Sequence, residues 1–158
     1  MKEASGFFAY ASMPADIGQT IERSAANSAV SSGTSTISTW AELDIVGHFI
    51  SDKVLEGIEY ADFFIADISE LNFNVTYEIG YAIGKSKRIL LVKNKSIQPQ
   101  GLKISDVGIF DTLGYKEYQN SFELNTFLNN TSTLRKVRTS IPRTKNENFS
   151  HLISMGYQ

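Results

Sequence analysis

The stretch Ala61-Asp-Phe-Phe-Ile-Ala-Asp67-Ile-Ser-Glu-Leu-Asn72-Phe-Asn74-Val-Thr-Tyr-Glu78-Ile-Gly-Tyr81-Ala-Ile-Gly84 changes its hydrophobic pattern halfway along. Residues 63–68 form an apolar run that carries one carboxylate, Asp67, near its end, and they read as a strand. A polar turn with two asparagines follows. Val75, Ile79 and Ala82 then recur at helical spacing, which predicts a helix over 74–83, and Gly84 suits its C-terminus. A strand that ends on one carboxylate and leads into a helix carrying another belongs to an open α/β sheet. Small ligands collect outside the C-terminal strand ends of such sheets.

The flanks extend the same alternation. Residues 7–11 are short and aromatic-rich, and they read as a buried first strand. Pro14 fits the first turn of a helix, where its missing N–H costs little, and Ile17, Ile21 and Ala25 mark that helix's buried stripe. Residues 31–35 read as a loop by composition and residues 36–40 as a second strand. Val46, Phe49, Ile50, Val54 and Ile58 have helical spacing and predict one long helix ending near Ala61. Residues 88–93 form a continuous apolar strand of the kind a parallel sheet buries. Residues 107–110 are the candidate fifth strand. Asn120-Ser-Phe-Glu123 resembles a capping box that opens a last helix through Leu124, Phe127 and Leu128. Gly80 and Gly84 are spaced for close helix packing.

Alternating strands and helices with right-handed crossovers imply a flavodoxin-like α/β fold. About five parallel strands are expected in the order 2-1-3-4-5, with helices on both faces. The expected domain spans residues 1–130. Residues 131–158 form a basic polar tail, or a linker to a further C-terminal domain.

Bulk composition narrows the function. The chain has 158 residues and a net charge of −2, which argues against nucleic acid or an anionic membrane as the partner. Cysteine is absent and only two histidines occur, so thiolate and histidine-rich metal sites are excluded and no metal is expected. No apolar run approaches the ~18 residues of a membrane span, so the expected location is the cytoplasm.

The expected site lies at the C-terminal strand edge. Asn74, Glu78 and Tyr81 fall on one helical face. Asn74 is a candidate helix cap, and Glu78, early in the helix, is expected to be held ionised by the helix dipole. An ionised carboxylate can attack, or stabilise, the sugar cation formed when a glycosidic bond breaks. Asp67 is the second catalytic candidate, as a proton donor or a ribose ligand. Tyr10, Ser12, Trp40, Asp44, Asn72, Asn74 and Tyr81 are the candidate substrate-binding residues. The rings of Tyr10 and Trp40 either stack on a base or belong to the core, and Asn72 and Asn74 serve equally well as turn and cap residues.

Two families share this pattern. Ala61-Asp62, Ala66-Asp67 and Glu78-Ile-Gly80-Tyr81-Ala82-Ile-Gly84-Lys85 resemble the signature of the nucleoside 2-deoxyribosyltransferases. That resemblance implies Glu78 as nucleophile and Asp67 as its assistant. The aromatic first strand, the Trp40 segment, Gly47 and the glutamate-bearing helix also resemble a Toll/interleukin-1 receptor (TIR) domain, whose prokaryotic members often cleave NAD. Together the resemblances imply cleavage of an N-glycosidic bond in NAD or a related nucleotide. They also imply a homo-oligomer and a role in bacterial antiphage defence. The small-molecule nucleotide is then a substrate, and no cofactor is expected. Base exchange by a deoxyribosyltransferase is the alternative chemistry. A non-catalytic nucleotide-binding or homotypic interaction module is the third reading.

Overall fold

The computed structural model describes residues 4–32, 35–44, 46–47, 49–108 and 113–130. The tail from residue 131, and its reading as a linker, lie outside them. Five parallel strands form one sheet: β1 (Ala4–Ala9), β2 (Ser35–Thr39), β3 (Phe63–Asp67), β4 (Arg88–Asn94) and β5 (Tyr115–Tyr118). Their order is β2-β1-β3-β4-β5, the expected flavodoxin-like topology. Three helices connect successive strands from β1 to β4, namely α1 (Ala15–Ser32), α2 (Ile50–Tyr60) and α3 (Phe73–Gly84), and α4 (Ser121–Leu128) follows β5. No helix among the described residues is long and apolar enough to cross a membrane.

Side chains of successive β3 residues go to opposite faces, as the strand period requires. Phe63 and Ile65 pack with Ile17, Ile21, Leu124 and Leu128 of α1 and α4. Phe64 and Ala66 pack with Val54, Ile58, Val75 and Ile79 of α2 and α3. Both faces are therefore buried, which explains a strand that is apolar at almost every position. Gly57 lets α2 approach the sheet closely, since a Cβ there would sit 2.6 Å from the Phe7 ring.

Several elements depart from expectation. α2 begins at Ile50, so Val46 and Phe49 precede it and are 85% and 78% exposed. Gly47 adopts φ +76° between them, a left-handed conformation that interrupts a right-handed helix. The fifth strand is Tyr115–Tyr118, whereas Val107 follows a 3-10 turn at Ile104–Asp106, and residues 109–110 lie outside the described chain. α1 runs on to Ser32, past the start of the expected loop. Gly80 and Gly84 meet nothing within 4 Å of a built Cβ, so their spacing reflects no close packing.

Candidate active site

A cavity of about 400 Å³ opens at the C-terminal edge of the sheet, beside the N-terminal ends of α2 and α3. This is the end where the strand order reverses around β1, the usual ligand position in open α/β sheets. Tyr10, Ser12, Trp40, Asn72, Asn74 and Glu78 line it, and these are six of the sequence-derived candidates. Ile50, Ser51, Val54, Leu55, Val75 and Tyr77 complete the wall. The sequence marked Val54 and Val75 as buried helix positions; nothing in it showed that they line a cavity.

Each wall residue is held by its neighbours. Tyr10 follows β1, and its hydroxyl donates a 2.6 Å hydrogen bond to Glu22 of α1. Its ring lies edge-on to Phe8 and 5.7 Å from the Trp40 ring. Burial and the bond to Glu22 push the Tyr10 hydroxyl far above its ordinary pKa, so it stays protonated. Asn72 caps α3 by accepting from the Val75 N–H at 2.9 Å. That is the cap expected of Asn74, which instead lies inside the first turn of the helix and faces the cavity.

Among the described residues, Glu78 is the only charged one in the cavity wall. Among the described residues its carboxylate has no hydrogen-bond or ion-pair partner. Burial alone pushes its pKa from the ordinary 4.5 up to about 7. This reverses the expectation of a dipole-stabilised, fully ionised group. Glu78 sits beyond the first turn of α3, where the field of the helix end has fallen away and desolvation decides.

Three candidates lie elsewhere. Asp67 is 1% exposed and belongs to the sheet face covered by α1 and α4. Its Oδ2 accepts from the Tyr118 hydroxyl at 2.7 Å and its Oδ1 from the Ser69 N–H at 2.8 Å. It therefore does not join Glu78 in the cavity wall. Burial raises its pKa, and the bonds from Tyr118 and Ser69 oppose that rise. Tyr81 shares the helical face of Glu78 but sits ~4.5 Å further along the axis. Its hydroxyl donates to Glu59 of α2 at 3.0 Å, below the cavity. Asp44 is exposed and accepts from the Val46 N–H at 3.2 Å.

Solved structures share this architecture at low sequence identity. A conserved protein from Enterococcus faecalis matches with TM-score 0.58 and 14% identity, over 80% of this chain and 97% of that one. A CMP N-glycosidase from Clostridium botulinum matches with TM-score 0.50 and 19% identity, over 78% and 96%. A 2-deoxyribosyltransferase from Bacillus psychrosaccharolyticus matches with TM-score 0.51 and 12% identity, over 85% and 100%. This chain therefore shares its fold with an N-glycosidase and a deoxyribosyltransferase. The TIR resemblance gains no support from these three. No protein-family model and no curated protein matches the chain.

Proposed function

We propose that the cavity breaks the N-glycosidic bond of a nucleoside or nucleotide, with Glu78 as the catalytic carboxylate. The observation that carries this reading is an unpartnered carboxylate in the wall of a cavity that also holds two aromatic rings and two asparagines. In the ionised form a Glu78 oxygen forms a bond to the anomeric carbon. The carbon–nitrogen bond breaks, and its electron pair leaves with the base. Water or a second base then attacks the same carbon and frees Glu78. Asn72 and Asn74 offer hydrogen bonds to the sugar hydroxyls, and the half-buried ring of Trp40, backed by the core residue Tyr10, offers a stacking wall for the base. With Asp67 turned to the other sheet face, the proton a neutral base takes on departure comes from solvent.

The named activities of two neighbours, a CMP N-glycosidase and a 2-deoxyribosyltransferase, support the bond class. Among the described residues no Lys, Arg or His lines the cavity to meet a phosphate, which favours an uncharged nucleoside over NAD. A part in antiphage defence, which both resemblances imply, would follow from depletion of the cleaved nucleotide. Phe49, Phe73 and Tyr77, exposed and apolar beside the cavity, support the homo-oligomer that the resemblance implies.

The test is incubation with 2′-deoxynucleosides, CMP and NAD, with and without a second base, read by chromatography. Free base and free sugar identify a hydrolase, and a new nucleoside identifies a transferase. Glu78→Ala turning over as fast as the parent would sink the mechanism.

A further inference from the structure

Asp67 is a fully buried carboxylate that the chemistry above does not use, and its bonds lead toward the cavity. Its Oδ1 holds the Ser69 N–H, and the Ser69 hydroxyl in turn accepts from the Asn94 N–H at 2.6 Å, at the end of β4. Its Oδ2 is fixed by Tyr118 on β5. The next residue of the turn, Glu70, accepts from the Gln100 and Gly101 N–H groups at 2.8 and 2.7 Å. Leu71 then bridges to Leu102. Residues 67–71 are thus tied on one side to the ends of β4 and β5 and on the other to the segment at residues 100–102. The next residue is Asn72, which caps α3 and lines the cavity.

We infer that Asp67, Tyr118 and Glu70 are positioning residues that fix the β3–α3 turn and thereby hold Asn72 and Asn74 against the sugar of the substrate. This rests on the nucleoside-cleaving reading, and it separates Asp67 from any role as proton donor. A charge-assisted hydrogen bond within a buried network is a strong restraint, and losing one frees the segment it ties. Because the restraints meet in one short turn, their losses are expected to be less than additive.

Trp40 is the chain's single tryptophan and lies in the cavity wall, so its fluorescence reports occupancy directly. The experiment measures nucleoside binding by Trp40 quenching, and amide exchange over residues 69–75, in the parent, Tyr118→Phe, Asp67→Asn, Glu70→Ala and the double variant Tyr118→Phe/Glu70→Ala. Glu70 is only half-buried, so its variant keeps the fold testable if the fully buried ones do not fold. Each single variant is expected to weaken binding on the order of tenfold and to speed exchange in the turn. The double variant is expected to weaken binding by less than the product of the two. Where turnover is measurable, KM rises while the shape of the pH–rate profile is kept. Parent-like binding and exchange in Glu70→Ala and Tyr118→Phe overturn the proposal. So does an Asp67→Asn variant that binds normally but loses one limb of the profile, since that is a proton donor's signature. Amide exchange needs no ligand. A parent that binds or cleaves no nucleoside therefore refutes the functional reading, while the exchange data still decide whether the network holds the turn.

Discussion

At the scale of single residues, Glu78 carries the clearest conflict between stability and chemistry. Its pKa is pushed from 4.5 to about 7 by burial, so the folded protein binds its proton more tightly than the unfolded chain does. The stabilising contribution of the protonated form is complete below about pH 4.5 and is lost as pH rises through about 7. The attack on the anomeric carbon proposed for Glu78 needs the opposite, ionised form. kcat/KM is therefore expected to rise as pH passes through about 7 and then level off, as measured in an initial-rate pH series. Glu78→Gln is expected to lower turnover by ~10²–10⁴-fold. The same variant should stabilise the protein at pH 8 by ~1–3 kcal/mol, toward the lower end because the side chain is partly open to water. That gain should shrink toward pH 4.5, and thermal melts at both pH values test it. Equal melting shifts at the two values would mean that the carboxylate is not desolvated. The sequence made Glu78 legible through its place on an amphipathic helix beside an asparagine-rich turn. Its ionisation was not legible, because depth of burial depends on the walls contributed by α2 and the segment around Trp40.

At the scale of elements, strand parity explains what the sequence could and could not place. Asp67 is four residues after Phe63 and two after Ile65, so all three point to the α1–α4 face. Glu78 rides on a helix packed against the opposite face. The period-two rule, applied to 63–68, would have separated the two carboxylates before any coordinates. β5 escaped notice because Tyr115, Lys116 and Glu117 are exposed and only Tyr118 is buried, an edge strand with the composition of a loop. The cap at Asn120 was legible, whereas the α3 cap fell to Asn72 and not to the expected Asn74. Asn72 accepts from the Val75 N–H and Asn120 from the Glu123 N–H at 3.0 Å, while the Glu123 carboxylate takes the Gln119 N–H one residue earlier than a capping box requires. These caps form an internal control. Asn72→Ala and Asn120→Ala should each cost ~0.5–2 kcal/mol in denaturant melts. Only Asn72→Ala should also raise KM, because α4 lies on the other face of the sheet. Equal effects of both on KM would show that Asn72 acts through stability alone.

At the scale of the whole molecule, topology does what no motif could. The order β2-β1-β3-β4-β5 brings residues far apart in the chain, Tyr10, Trp40 and Glu78, to one end of one sheet. Alternation and right-handed crossovers made that order legible, and Tyr10, Ser12 and Trp40 followed from standing just past strand ends. The charge of the assembled wall was not legible, since it depends on which described Lys and Arg residues the fold keeps from the cavity. Among the described residues Glu78 is the wall's single charge, and the chain's net charge is −2, so a phosphate is expected to approach against a weak repulsive field. Salt screens such a field, with a Debye length of ~14 Å at 0.05 M falling to ~7 Å at 0.2 M. The KM for a deoxynucleoside 5′-monophosphate is therefore expected to exceed that for the parent deoxynucleoside. It should fall severalfold as salt rises over that range, while the KM for the uncharged nucleoside stays level. A monophosphate KM that climbs with salt would require a cationic phosphate contact at the cavity and would make a phosphorylated substrate the better match.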